Sequence, residues 1–182
     1  MPRVAITEET IRTEEFLREL ASSQDGALLL FLGVVRDHHD GRRVRGLVYE
    51  AYREMAEETL ARIAGEAEAR FGTDRIVVLH RVGALVVGEV STAIAVATPH
   101  REEAYGASRY IIEEIKKRLP VWKLEEYAEG EARWVEGRVP PAEGEAGGTF
   151  GTLPGSMGTG GRTEGETGGT RAAGPETGEE GK

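Results

Sequence analysis

The sequence predicts an α/β sandwich with a mixed or antiparallel sheet. Three observations carry this. Two long segments, 53–71 and 101–119, repeat apolar residues at helical spacing. Two runs of strand length, 26–35 and 90–98, are almost wholly apolar or β-branched. Helical segments alternate with pairs of strands rather than with single strands, which argues against a doubly wound parallel sheet.

Arg3–Ile6 reads as a short strand. Thr13 can cap a helix reaching about Ala21, with Glu14 and Glu15 favoured in its first turn and Phe16, Leu17 and Leu20 on its apolar face. Gly26–Val35, GALLLFLGVV, reads as a buried central strand. Arg36–Arg45 is polar, contains Gly41 and reads as a loop, followed by an alternating strand over Leu47–Tyr52. Arg53–Phe71 places Ala56, Leu60, Ile63, Ala67 and Phe71 on one helical face, and Gly72 ends it. Arg75–His80 and Ala84–Val87 are short strands around Gly83, and Val90–Thr98 is a buried strand broken by Pro99. Arg101–Leu119 is the second long helix, closed by Pro120, and Val121–Tyr127 and Ala132–Val135 read as terminal strands.

Composition places a boundary. Residues 138–182 hold 14 of the 25 Gly and one aromatic residue. Such a Gly/Thr/Glu-rich segment cannot bury enough apolar surface to offset its chain entropy, so it is expected to be a disordered tail behind a domain of residues 1–137. The net charge is −9, which argues against a generally basic nucleic-acid binder. The absence of cysteine excludes disulfides, thiolate metal sites and a catalytic thiol in this chain. No apolar run approaches the roughly 20 residues of a membrane span, and the N-terminus does not read as a secretory signal. A cytoplasmic protein without membrane contact is expected.

Three polar clusters interrupt the apolar pattern. In Arg36-Asp37-His38-His39-Asp40 the two neighbouring histidines point apart on extended chain and match no metal-ligand spacing, so no metal site is expected. His100-Arg101 follows Pro99 at a helix start, where a cation opposes the helix dipole. Two readings stand: an exposed arginine, or a cation waiting for an anion that both it and the helix N-terminus bind. Lys116-Lys117-Arg118-Leu119-Pro120-Val121-Trp122-Lys123 closes that helix and turns into a strand. Its cations are either solvated, as suits a helix C-terminus, or gathered so that Lys116 and Lys123 depress each other's pKa. Together Arg36, His100, Arg101, Lys116 and Lys123 could line one cationic pocket for a phosphorylated or carboxylated small ligand. There is no GxGxxG and no GxxxxGK[ST].

On these residues the sequence resembles the catalytic (large) subunit of molybdopterin synthase. The matching stretches are Phe31–Arg36, Leu47–Tyr52, His80–Gly83, Pro99–Arg101, Lys116–Lys123 and Arg133–Glu136, in the family's order and spacing over residues 3–137. The Lys-x-x-x-Pro-x-Trp-Lys segment is the most specific of them. The resemblance implies an α/β hammerhead fold with an added β-rich subdomain. It implies a sulfurtransferase that converts a cyclic pyranopterin monophosphate into the molybdopterin dithiolene, with no cofactor of its own. The sulfur would come from the C-terminal thiocarboxylate of a ubiquitin-like small subunit. The implied assembly is a heterotetramer around a homodimer of large subunits, with the site shared across the dimer. By the same resemblance Val34, Val35 and Arg36 contact the pterin, and His100 and Arg101 bind phosphate from the neighbouring subunit. Lys116 is the principal catalytic lysine, and Lys123, with Leu124 and Glu125, binds substrate and assists.

Two other classes compete. A non-catalytic adaptor for a ubiquitin-like protein would not need the five pocket residues. A module binding an anionic metabolite or RNA would need an aromatic platform or a basic face, against the acidic excess of residues 1–137. The chain is not expected to be the sulfur carrier itself, because its sequence ends Glu-Glu-Gly-Lys without a terminal glycine to activate.

Overall fold

The computed structural model describes residues 1–20 and 22–135. The expected tail, the domain boundary at residue 137, Glu136 and Ala21 lie outside the described residues, as does the side chain of Leu17. Among the described residues, nine strands and three helices follow in the order β1 (Arg3–Thr7), α1 (Thr13–Leu20), β2 (Ala27–Val34), β3 (His38–His39), β4 (Arg42–Ala51), α2 (Arg53–Phe71), β5 (Ile76–Arg81), β6 (Gly83–Val86), β7 (Val90–Thr98), α3 (Arg101–Arg118), β8 (Val121–Tyr127) and β9 (Ala132–Val135). The fold is mixed α/β, with a second, β-rich part.

The first sheet runs β1-β5-β7-β2, with only the β1–β5 pair parallel. Its inner strands are buried on both faces. Ile76 and Val78 of β5 and Ile94 and Val96 of β7 pack with Leu60, Ile63 and Ile111 of α2 and α3. The intervening Val77, Leu79, Ala93, Ala95 and Ala97 pack with Phe16 and Leu20 of α1. Period-two alternation thus divides large side chains toward two helices from mostly small ones toward one. Gly72 ends α2 in the left-handed region at φ 69°, its N–H donating to the Glu68 carbonyl at 3.0 Å.

Two expectations are corrected. The apolar run of β2 is an edge strand, paired only with β7 and exposing Leu28, Leu32 and Val34. Apolar composition reports an affinity for burial and not which neighbour supplies it. The polar segment 36–45 is a hairpin rather than a loop: His38 and His39 pair with Arg43 and Arg42 around Asp40-Gly41, with φ of 46° and 77°. Two successive positive-φ residues make the tight turn that Asp-Gly favours.

In the second sheet β4 is central, flanked by β8 and β9 on one side and by β3 and β6 on the other. Gly46 lets β6 approach, because a Cβ there would sit 2.8 Å from the Leu85 carbonyl oxygen. Backbone on both sides leaves little room to yield. Gly46→Ala should destabilise the protein by about 1–3 kcal/mol, seen as a lower urea midpoint with an unchanged slope; an unchanged midpoint would show that the β4–β6 contact relaxes freely.

Candidate functional site

A cleft opens where β2 ends, β7 begins and α3 ends, and β4 and β8 of the second sheet wall it. Because α3 runs back antiparallel to the strand that precedes it, its C-terminal turn brings Lys116 beside Ser91 and Thr92 at the start of β7. The end of β2 supplies Val34, Val35 and Arg36. Val35 is fixed by two backbone hydrogen bonds, its N–H donating to Glu89 at 3.0 Å and its carbonyl accepting from Gly88 at 2.9 Å. That anchor sets where Arg36 leaves the sheet.

On β8 the register decides who faces the cleft. Lys123 is opposite Tyr49 and Glu125 is opposite Leu47, so these residues share one face. Leu124 pairs with Val48 and alternates to the other face, away from the cleft residues. Glu125 lines the cleft but is buried, with both oxygens engaged. Oε1 is 2.7 Å from Lys123 Nζ, and Oε2 accepts from the Tyr127 hydroxyl at 2.9 Å. A carboxylate held this way anchors a lysine rather than greeting a substrate.

The structure therefore gathers Val34, Val35, Arg36, Lys116, Lys123 and Glu125. It does not bring His100 and Arg101 to them. These lie at the first turn of α3, fifteen residues from Lys116, or roughly 22 Å along the axis. Within one chain, then, Arg36, Lys116 and Lys123 share a cleft that His100 and Arg101 do not reach.

Sequence reasoning gave no site role to five neighbours. Tyr49 meets His80 edge to face, with ring centroids 5.1 Å apart at 86°. Ser91 donates to the Gly33 carbonyl at 3.1 Å. Tyr127 and His39 flank Glu125. The signals were present: His80 follows the apolar run Ile76–Leu79 within β5, the Asp-Gly pair marks the hairpin that carries His39, and period two links Lys123, Glu125 and Tyr127.

The electrostatics follow from crowding. Lys116 keeps one side open to solvent, yet desolvation by the surrounding protein, then the charges of Lys123 and Arg36, hold its pKa below the ordinary value. It has no carboxylate partner among the described residues, whereas Lys123 is paired with Glu125. Burial is the largest influence on Glu125 and raises its pKa, but Lys123, Tyr127 and His39 outweigh it and leave the group below the ordinary range. Tyr49 is pushed up, chiefly by burial, with a Ser91 hydrogen bond opposing.

His80 is 3% exposed, and burial, then the Lys116 charge, lowers its pKa to about 4. Its Nδ1–H donates to the Arg81 carbonyl at 3.0 Å, so the neutral ring carries its proton there. Unfolded, His80 takes up a proton near pH 6.5; folded, it does so only near 4. Between those values the unfolded state binds more protons, so stability falls as pH falls, by up to about 1.4 kcal/mol per pH unit. His80→Gln should flatten the stability profile between pH 6.5 and 4.5. Denaturant titrations at several pH values measure this, and an unaltered slope would show that His80 titrates normally.

Comparison with known proteins agrees with this architecture. The MoaE protein family profile matches residues 6–118. A molybdopterin synthase catalytic subunit of Pyrococcus abyssi is 45% identical over 129 residues, covering 71% of this chain and 86% of its own. One from Halalkalibacterium halodurans is 42% identical over 133 residues, covering 73% and 85%. The crystal structure of molybdopterin synthase from Staphylococcus aureus superposes with a TM-score of 0.66 at 36% identity, covering 72% of this chain and 95% of that one. With the cleft at the sheet end and the lysine pair across it, these likenesses establish that the chain belongs to the MoaE protein family, the enzymes that are molybdopterin synthase catalytic subunits.

Proposed function

We propose that this chain converts a cyclic pyranopterin monophosphate into the molybdopterin dithiolene, taking sulfur from the C-terminal thiocarboxylate of a ubiquitin-like small subunit. The observation that carries the reading is the meeting of Arg36, Lys116 and Lys123 at one cleft, with Lys116 the lysine left without a carboxylate partner among the described residues. The chain has no cysteine, so sulfur arrives from outside. A thiocarboxylate is already nucleophilic at neutral pH and needs no activating thiol. Opening a cyclic phosphate and expelling water call for cationic stabilisation and for a group that gives and takes protons. Arg36 supplies fixed charge, and Lys116, with its depressed pKa, handles protons or bonds transiently to the carrier's acyl carbon. Lys123, held by Glu125, faces the substrate's anionic part.

The phosphate subsite is completed by His100 and Arg101 of a second copy. Two observations support this. Their distance from Lys116 along α3 prevents one chain from supplying both. The edge strand β2 also leaves Leu28, Leu32 and Val34 exposed along its length, with Val34 at the cleft, a surface that a second copy can cover. The full assembly is a homodimer of this chain carrying one small subunit at each end, in the cytoplasm.

Mixing the chain with thiocarboxylated small subunit and the cyclic pterin should yield dithiolene, detected by mass. Lys116→Arg keeps the charge but titrates far above neutral pH. It should lose single-turnover rate almost as fully as Lys116→Ala, by about a hundredfold or more, while substrate still binds. Hybrid dimers of a Lys116→Ala chain with a His100→Ala/Arg101→Ala chain should recover part of the activity. Near-normal rates for Lys116→Arg would reduce that lysine to an electrostatic anchor, and verified hybrids without recovery would rule out the shared site.

A further inference from the structure

The β3–β4 hairpin brings His39 to the back of the lysine pair. Its Nδ1 is shut off from solvent and lies 2.8 Å from Glu125 Oε2, in ion-pair contact rather than fully aligned hydrogen-bond geometry. The same oxygen accepts from the Tyr127 hydroxyl at 2.9 Å, and the other oxygen sits 2.7 Å from Lys123 Nζ. Glu125 is 3% exposed, so its orientation is set by these three partners. Outside them, Arg42 lies over the Tyr127 ring at 3.7 Å and pairs with Glu131 at 2.8 Å, tying the hairpin to the β8–β9 turn.

We propose that His39 and Tyr127 are positioning residues that clamp Glu125 and, through it, hold Lys123 at the cleft. The inference rests on the reading of Lys123 as a group that faces substrate. Lysine has a long stem with several rotatable bonds, and a single carboxylate partner that can itself turn would not fix its ammonium. A carboxylate whose far oxygen accepts from the Tyr127 hydroxyl and touches His39 Nδ1 cannot turn freely. The ion pair then becomes a directed one, and the lysine is delivered in one orientation. The Asp40-Gly41 turn matters for the same reason, since it fixes which face of the hairpin presents His39.

Asn at position 39 can place an amide N–H near the present Nδ1, while Leu cannot donate. In single-turnover assays with the small subunit and the cyclic pterin, His39→Leu should lose rate by about tenfold, the worth of one hydrogen bond to a charged group. His39→Asn should recover most of that loss, and Tyr127→Phe should resemble His39→Leu. In a Lys123→Ala background His39→Leu should cost nothing further, a coupling that a purely structural role would not show. A second readout is independent of the reaction: Lys123 should be acetylated by acetic anhydride several-fold faster in His39→Leu and Tyr127→Phe than in the wild type or His39→Asn. If the wild type makes no dithiolene, the functional reading fails while the acetylation pattern still decides the clamp. Equal Lys123 reactivity in all four proteins, or an undiminished His39→Leu loss in the Lys123→Ala background, would overturn it.

Discussion

Like charges confined to one cleft govern this site. Arg36, Lys116 and Lys123 arrive from a strand end, a helix end and a second sheet, and their mutual repulsion has to be relieved. One buried carboxylate, Glu125, does so for Lys123. Lys116 is left to answer the remaining field and the loss of water, and it does so by holding its proton less tightly. His80 beneath it stays neutral under the same pressures. The two lysines thus differ in their surroundings: Lys123 has Glu125 beside it, and Lys116 has no carboxylate partner among the described residues.

The frame makes this arrangement rigid. β7 is buried on both faces, so neither the helix pair above it nor α1 below can slide without emptying a packed layer. α3 must then lie antiparallel to β7, which sends Lys116 to the cleft and His100-Arg101 to the far end. The second sheet is tied in by β4, whose register with β8 fixes Lys123 and Glu125 against Tyr49 and Leu47. Lys116 and Arg101 thus stand at opposite ends of one helix, and a single chain does not bring both to one cleft.

Much of this was legible in the residues. The bounds of α2 and β7 follow from their apolar periodicity and from Gly72 and Pro99, which stop them. Lys116 and Lys123 stood out because a helix end and a proline turn lie between them. The separation of Arg101 from Lys116 needed only the helical rise, yet a pocket defined by charge alone overlooked it. Other features were not legible. The apolar run of β2 reads the same whether a strand or a second protein covers it. Leu124 and Glu125 are neighbours in sequence on opposite faces of β8, and only strand pairing separates an outward leucine from a buried carboxylate. His39 gave no sign of its partner because Glu125 lies 86 residues away.

The most direct measurement is the titration of the Lys116 ammonium by heteronuclear NMR in the purified protein. A pKa below the ordinary 10.5 is expected. It should move back toward that value when Arg36 or Lys123 is replaced by a neutral residue of similar length, such as Arg36→Gln or Lys123→Met. A Lys116 that titrates at the ordinary value and ignores both replacements would contradict the claim that crowded charge tunes this lysine.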